Sequence, residues 1–462
     1  MLRIGNNQTS KIKKQENKYT KARMFYMNIK NNEVLTLIRK SDINPLSFEG
    51  NFGLEKENLR VDEQGNLALS PHPKEFGDKL RNPYIKTDFS ESQIELITPV
   101  CKSIEEAYEF LGELQDFVSV RLTGEYLWPQ SNLPKLPEEE QIPIARYGKE
   151  GYKERKYRER LAKKYGKKLQ LLSGVHFNFS LKEEFLNKLY ARLEHNKSYQ
   201  EFKNDIYLKI TKYLLKYRWL LIYLTGASPT LKTADNLGCY CKDFRSLRNS
   251  SCGYSNNEEL YISYETIEDY VASLQASIDQ GKIQNINEFY SPVRIKGRGK
   301  GTLEELLKQG IQYLELRLFD LNPFDKNGIS KEDLYFTRLL ITYLLVKADF
   351  TFGTMEQKMA NTNHEQATLA ERPENIGVFD ELGQWENLQE EATKIINELE
   401  ELIEVLGGET EYFSYVINTA REKVLKPEKT YALRIIEGVK QSSYVQFHID
   451  LAKKHLEESK KK

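Results

Sequence analysis

Phe52-Gly53-Leu54-Glu55-Lys56-Glu57-Asn58-Leu59-Arg60 is the stretch on which the reading of this chain turns. It has the character of a strand. Side chains of a strand alternate between faces, so Glu55 and Glu57 emerge together from one side. Two carboxylates on one face repel each other, and a divalent cation between them is the obvious relief. A lone E-x-E is more often a solvated strand edge. The choice depends on whether other segments supply partners.

Several do. Tyr313-Leu314-Glu315-Leu316-Arg317-Leu318-Phe319 puts three leucines on one face, which must pack on a core. Glu315 and Arg317 share the opposite face. Ser173-Gly174-Val175-His176-Phe177-Asn178-Phe179-Ser180-Leu181 alternates as cleanly, with Val175, Phe177 and Phe179 against His176, Asn178 and Ser180. Residues 84–99 read as one extended segment that carries Asp88 and Glu95 and stops at Pro99. Carboxylates with one imidazole suit Mg²⁺ or Mn²⁺ rather than zinc. One magnesium ion needs only one or two carboxylates, because it keeps waters and takes phosphate oxygens. Glu55, Glu57, Asp88, Glu95, Glu315 and His176 therefore imply more than one ion, bridging a nucleotide polyphosphate. Arg317 would then stabilise charge on a phosphoryl group in transfer.

Composition bounds the alternatives. The 462 residues carry 68 Lys and Arg against 68 Asp and Glu, so no global field draws the chain to nucleic acid or acidic membranes. The longest apolar runs, residues 339–346 and 219–224, fall short of the roughly 20 residues that a membrane span needs. Four cysteines (Cys101, Cys239, Cys241 and Cys252) suit a reducing cytoplasm better than a disulfide framework, and Cys239-x-Cys241 lacks a second pair for zinc. Gly297-Arg298-Gly299-Lys300-Gly301-Thr302 has the wrong spacing for a P-loop and reads as a turn. No dinucleotide fingerprint or nucleophile elbow occurs, and His72 and His195 sit in polar contexts expected at the surface.

The expected organisation is a flexible basic tail over 1–32, a single domain over 33–456 and a polar tail over 457–462. Within the domain, a sheet core spans about 46–325 and a helical part about 331–456. Residues 103–122 form an amphipathic helix with a Ser103/Glu106 capping box. Residues 261–280 and 431–456 read as single helices, and 230–257 as a long functional loop. The basic stretch 147–168, with Tyr152, Tyr157 and Tyr165 interleaved, is a solvated helix face or an anion-binding surface.

Together, Gly53-Leu54-Glu55-Lys56-Glu57, Thr87-Asp88-Phe89-Ser90-Glu91, Glu95-Leu96-Ile97-Thr98-Pro99, the His176 segment, Gly226-Ala227-Ser228-Pro229 and Tyr313-Leu314-Glu315-Leu316-Arg317 resemble glutamate–cysteine ligase. The resemblance is to the bacterial branch that also forms the first half of bifunctional glutathione synthetases. It covers roughly 46–324 and is more diffuse beyond. It implies an α+β, glutamine-synthetase-like fold: a curved, mainly antiparallel sheet with helices packed outside. It implies a cytoplasmic enzyme in which MgATP phosphorylates the γ-carboxylate of glutamate and cysteine attacks the acyl phosphate. By motif, Glu55, Glu57, Asp88, Glu95, His176 and Glu315 would bind metal and Arg317 the phosphoryl group. Phe89, Tyr157, Leu161, Tyr254 and Tyr290 would line a cysteine pocket, and Arg158, Asn178 and Arg248 would hold substrate carboxylate or amino groups. Arg160 stands where the family has Gly, and Cys252 where relatives have Leu. The chain ends without an ATP-grasp region, so the second step of glutathione synthesis is not expected of it. The alternatives are another ATP-dependent carboxylate–amine ligase of this fold, or an anion- or nucleic-acid-binding protein that uses the basic segments. The sequence carries no signal of oligomeric state.

Overall fold

Strand alternation sets the architecture. The structure, a computed structural model, describes residues 33–40, 42–231, 237, 242–299, 301–408 and 410–461. The expected tail over 1–32 lies outside the described residues, as do Cys239 and Cys241. Strands β1 (Asn51–Val61), β2 (Ile85–Thr87), β3 (Gln93–Ile97), β4 (Tyr126–Leu127), β5 (Val175–Ser180), β6 (Val293–Lys296) and β7 (Tyr313–Phe319) form one open sheet. Its order is β2-β3-β1-β5-β7-β6, with β4 beside the end of β1, and every ladder is antiparallel. The register pairs Glu55 with His176, Glu57 with Glu95 and Asn178 with Glu315. Directly opposed residues share a face, so the polar residues read from separate segments meet on one side.

The other side is apolar. Leu54, Ile94, Leu96, Val175, Phe177, Phe179, Leu314, Leu316 and Leu318 are buried there. The helices that position the sheet and its site are α1 (Ile104–Ser119), α2 (Tyr152–Tyr165), α3 (Tyr199–Thr225), α4 (Lys331–Val346), α5 (Thr354–Thr368) and α6 (Tyr444–Lys460). Helices α1 and α3 cover the apolar face. Helix α3 is buried nearly all round, as expected of a helix inside a core, and starts at a Ser198/Glu201 capping box. Lys56, between the two glutamates but on the helix side, donates to Gln115 Oε1 and the Lys326 carbonyl, each at 2.7 Å. Burial drives its pKa down to about 7.

Several boundaries differ from expectation. Residues 84–99 are a β2–β3 hairpin, because Ser90 reverses the chain by accepting from the Ser92 and Gln93 amides. The helix expected over 261–280 starts only at Ile267, where Thr266 caps it. Residues 431–456 split into Tyr431–Lys440 and α6, which begins at the Ser443 cap. Helix α6 also runs through most of the expected polar tail, with Ser459 buried. At α1, Ser103 accepts from the Glu106 amide, but the Glu106 carboxylate reaches Lys102 N–H, one residue outside the cap. His72 is buried rather than exposed. Helix α5 was not anticipated; its polar sequence hides a face packed on α3.

Leu316 is fully buried in the middle of β7. Leu316→Ala is expected to cost about 2–5 kcal/mol, read as a lower denaturant midpoint at unchanged m-value. A loss below about 1 kcal/mol would contradict close packing under β7.

Candidate active site

On the polar face, His176 stands among carboxylates. Its Nδ1 lies 3.2 Å from Glu55 Oε2 and 3.3 Å from Glu315 Oε1, and its Nε2 lies 3.6 Å from Glu57 Oε1. Glu55, His176 and Glu315 each present a ligand atom within 4.8 Å of the others. Neighbours fix these groups. Asn178 donates to Glu55 Oε1 at 2.8 Å, and the Gly174 amide donates to Glu57 Oε2 at 3.2 Å. Arg317 donates to Glu315 Oε1 at 2.8 Å, and Lys296 Nζ lies 3.2 Å from Glu315 Oε2.

The charges divide across the sheet. Burial works against the Glu315 carboxylate, but Arg317 first, then Lys296 and Arg294, hold its pKa well below the usual range. Burial also opposes the Glu55 charge, yet the His176 hydrogen bond leaves its pKa lowered. On the β3 side the nearby cations are outweighed. Burial, then the Asp88 charge, pushes Glu57 up to about 8. Glu95 is raised well above the carboxylate range by burial and by Asp88, Glu55 and Glu57. Burial, then Arg317, lowers His176, favouring the neutral imidazole that ligates metals. His176 Nε2 and Glu315 Oε2 are buried without a hydrogen bond. Hard oxygen donors, a neutral imidazole and crowded carboxyls whose raised pKa values a bound cation would bring down fit divalent cations of the magnesium type.

A cavity of about 340 Å³ adjoins the cluster, lined in part by Arg317, Arg248, Tyr254 and Tyr290. The Tyr254 and Tyr290 rings are 4.2 Å apart, and Tyr165 extends the stack 5.4 Å from Tyr290. Helix α2 contributes no residue to the lining of this cavity. Its Leu161 is buried with Phe89 and Trp128, and its Tyr157 packs on that cluster while lying close enough to Tyr254 to feel its charge. Arg158 donates to the Asp88 carbonyl and stacks on Tyr147, 4.9 Å from the ring centre. The exposed lysines of α2, such as Lys153 and Lys163, face solvent. Cys252, two residues before Tyr254, is in a disulfide, against the expectation drawn from the cysteine count.

Sequence reasoning missed Arg294 and Lys296 on β6, although the alternation Val293-Arg294-Ile295-Lys296 signals them. It also missed Arg218 of α3 with Asn361 and His364 of α5, which line the same cavity and carry no motif.

Arg248 Nη1 donates to the Arg317 carbonyl at 2.6 Å, and its guanidinium lies against Gly174. A Cβ at residue 174 would sit 2.5 Å from Arg248 Cζ. Gly174→Ala is therefore expected to keep the circular-dichroism spectrum and displace the Arg248 guanidinium from the Arg317 carbonyl in a crystal structure of the variant. An unmoved guanidinium would refute this steric reading.

The family model described as glutamate-cysteine ligase matches residues 35–283 and 277–367. Glutathione biosynthesis bifunctional protein GshAB of Clostridium perfringens is 44% identical over 93% of this chain and 57% of its own length. Glutamate–cysteine ligase of Clostridium acetobutylicum is 36% identical over 75% of this chain and 82% of its own. Among solved structures, glutamate–cysteine ligase from Francisella tularensis in complex with AMP superposes with a TM-score of 0.82 at 27% identity, covering 90% of this chain and 89% of that one. The bifunctional glutathione synthetase from Pasteurella multocida gives 0.81 at 34% identity, covering 91% and 54%. The chain spans little more than half the length of the first bifunctional relatives it matches. No helix among the described residues is long and apolar enough to cross a membrane. By sequence and by fold, the chain belongs to the glutamate–cysteine ligase family.

Proposed function

We propose that this chain is a cytoplasmic enzyme that joins the γ-carboxylate of L-glutamate to the amine of L-cysteine at the expense of ATP. The reaction passes through γ-glutamyl phosphate and is the first step of glutathione biosynthesis. The observation that carries this reading is the carboxylate–imidazole cluster opening, through Arg317, onto a tyrosine-walled cavity that also holds Arg248. The name of the Clostridium acetobutylicum relative and the AMP complex of the Francisella enzyme support the reaction class and a nucleotide substrate.

Glu55, His176 and Glu315, with Glu57, Asp88 and Glu95, would hold magnesium, more than one ion, with Mn²⁺ also compatible. Bound there, the metal supplies charge neutralisation for the polyphosphate. The chain's own residues do the rest. Arg317 spends one N–H on Glu315 and offers its remaining donors to the phosphoryl oxygens in transfer. Arg248 Nε is buried without a partner and suits a substrate carboxylate. Arg158 and Asn178 stand ready for the other polar groups of the amino acids. Phe89, Tyr157, Leu161, Tyr254 and Tyr290 supply apolar walls for a small thiol side chain. Burial raises Tyr157, Tyr254 and Tyr290 above the usual phenol range, so they stay neutral near pH 7. A ligase with a different amine acceptor would share the cluster and differ only in this pocket.

Purified protein is expected to release ADP from ATP only with glutamate, cysteine and a divalent cation all present, and to stop with EDTA. Equal turnover without cysteine, or preference for an alkyl amine, would overturn the assignment. Arg317→Lys is expected to lower kcat about a hundredfold, because lysine offers no planar fork to the phosphoryl oxygens. Near-normal turnover of that variant would remove Arg317 from the mechanism.

A further inference from the structure

The cavity beside the cluster is bordered by a third arginine that the proposed chemistry does not use. Arg218 is buried on α3, and its donors turn inward. Its Nε is 2.8 Å from His364 Nδ1, its Nη2 donates to Asn361 Oδ1 at 2.6 Å, and its Nη1 donates to the Leu215 carbonyl. On its other edge, His364 Nε2 is 2.6 Å from the Asn249 carbonyl. A guanidinium only donates, so Nδ1 must accept and the ring proton must sit on Nε2, where it donates to Asn249. Burial first, and the Arg218 charge second, hold the His364 pKa down to about 3, which keeps the ring neutral.

Asn249 directly follows Arg248. Its side chain donates at 2.8 Å to Ser246 Oγ and to the Leu318 carbonyl, the residue after Arg317 on β7. The Ser251 amide donates to Glu365 Oε2 of α5 at 3.1 Å. The turn that carries Arg248 is thus clamped between β7 and α5. Beside the Ser251–Glu365 bond, the α5 side of the clamp runs in a hydrogen-bonded line: Arg218, His364, Asn249.

We propose that His364 is a positioning residue for amino-acid substrate binding: as a neutral spacer between Arg218 and the Asn249 carbonyl, it holds the Arg248 guanidinium at the cavity. The inference rests on the reading of Arg248 as a carboxylate-binding residue. His364 has no hydrogen bond to the carboxylates of the cation cluster and reaches the site through the Arg248 turn, so its loss is read first in amino-acid binding. The side-chain chemistry gives a reciprocal pair of variants. An Asn amide at 364 can occupy the Nδ1 position and still accept from Arg218, but it does not reach Asn249. A Gln amide can occupy the Nε2 position and donate to Asn249.

The experiment is steady-state kinetics of His364→Asn and His364→Gln. His364→Asn is expected to raise KM for one amino-acid substrate about tenfold, with KM for ATP within about twofold and melting temperature little changed. His364→Gln is expected to recover most of that KM. A parallel rise of every KM, a fall in kcat alone, or no rescue by glutamine would overturn the proposal. Nitrogen-15 spectra of the intact protein give a test independent of ligase activity. The His364 ring is expected as the neutral Nε2–H tautomer that does not titrate between about pH 5 and 8. A titrating ring or the opposite tautomer would equally overturn it. If the unmodified protein shows no ligation at all, the functional reading fails, while the tautomer still tests the clamp.

Discussion

Glu57 and Glu95 stand directly opposite each other on neighbouring strands, with Asp88 and Glu55 within electrostatic reach of both. Removing carboxylates from water is costly, and placing them side by side adds repulsion. The protein meets this cost unequally. On the β7 side, Arg317, Lys296 and Arg294 surround Glu315 and keep it ionised. On the β3 side Arg248 and Arg317 act on Glu57 and Lys86 on Glu95, but burial and the neighbouring carboxylates outweigh them, and both are pushed upward. That asymmetry favours the protonated form of Glu57 and Glu95 until a bound cation takes the place of the protons.

The rest of the architecture follows from keeping this face available. Helices α1 and α3 close the opposite face of the sheet, so the leucines of β7 and the phenylalanines of β5 lock the strand register. The β5–β7 register shifts once, between Val175 and Phe177, and Glu55, His176 and Glu315 meet at that irregularity. The cavity beside the cluster is built differently. Its walls come from the turn at Arg248, the Tyr254 and Tyr290 segments, α3 and α5. A sheet holds the charged cluster, and loops and helix surfaces line the cavity.

Much of the sheet was legible because period-two alternation is strong in β1, β5 and β7. Each strand pairs an unbroken apolar face with a few polar residues whose types are chemically expensive to bury. The β2–β3 hairpin was misread as one strand because Ser90 reverses the chain without the Gly or Asn that marks most tight turns. The split between Tyr431–Lys440 and α6 was missed for a similar reason: Ser443 caps the second helix, but neither Gly nor Pro marks the break. Helix α5 hid because its packing surface is made of Ala, Asn and His rather than leucines.

By itself the sequence determined strands β1, β5 and β7, the alternation that puts Glu55, Glu57, His176, Glu315 and Arg317 on polar faces, and the family whose motifs they form. Those are properties of local order and residue type. It did not determine which carboxylates would be compensated and which crowded, because a pKa depends on neighbours from distant strands. Nor did it contain the line from Arg218 through His364 to the Arg248 turn. Those residues are spread over more than a hundred positions and meet only because α3 and α5 pack together. Tertiary structure decided those contacts, since hydrogen bonds and Coulomb forces act through space rather than along the chain.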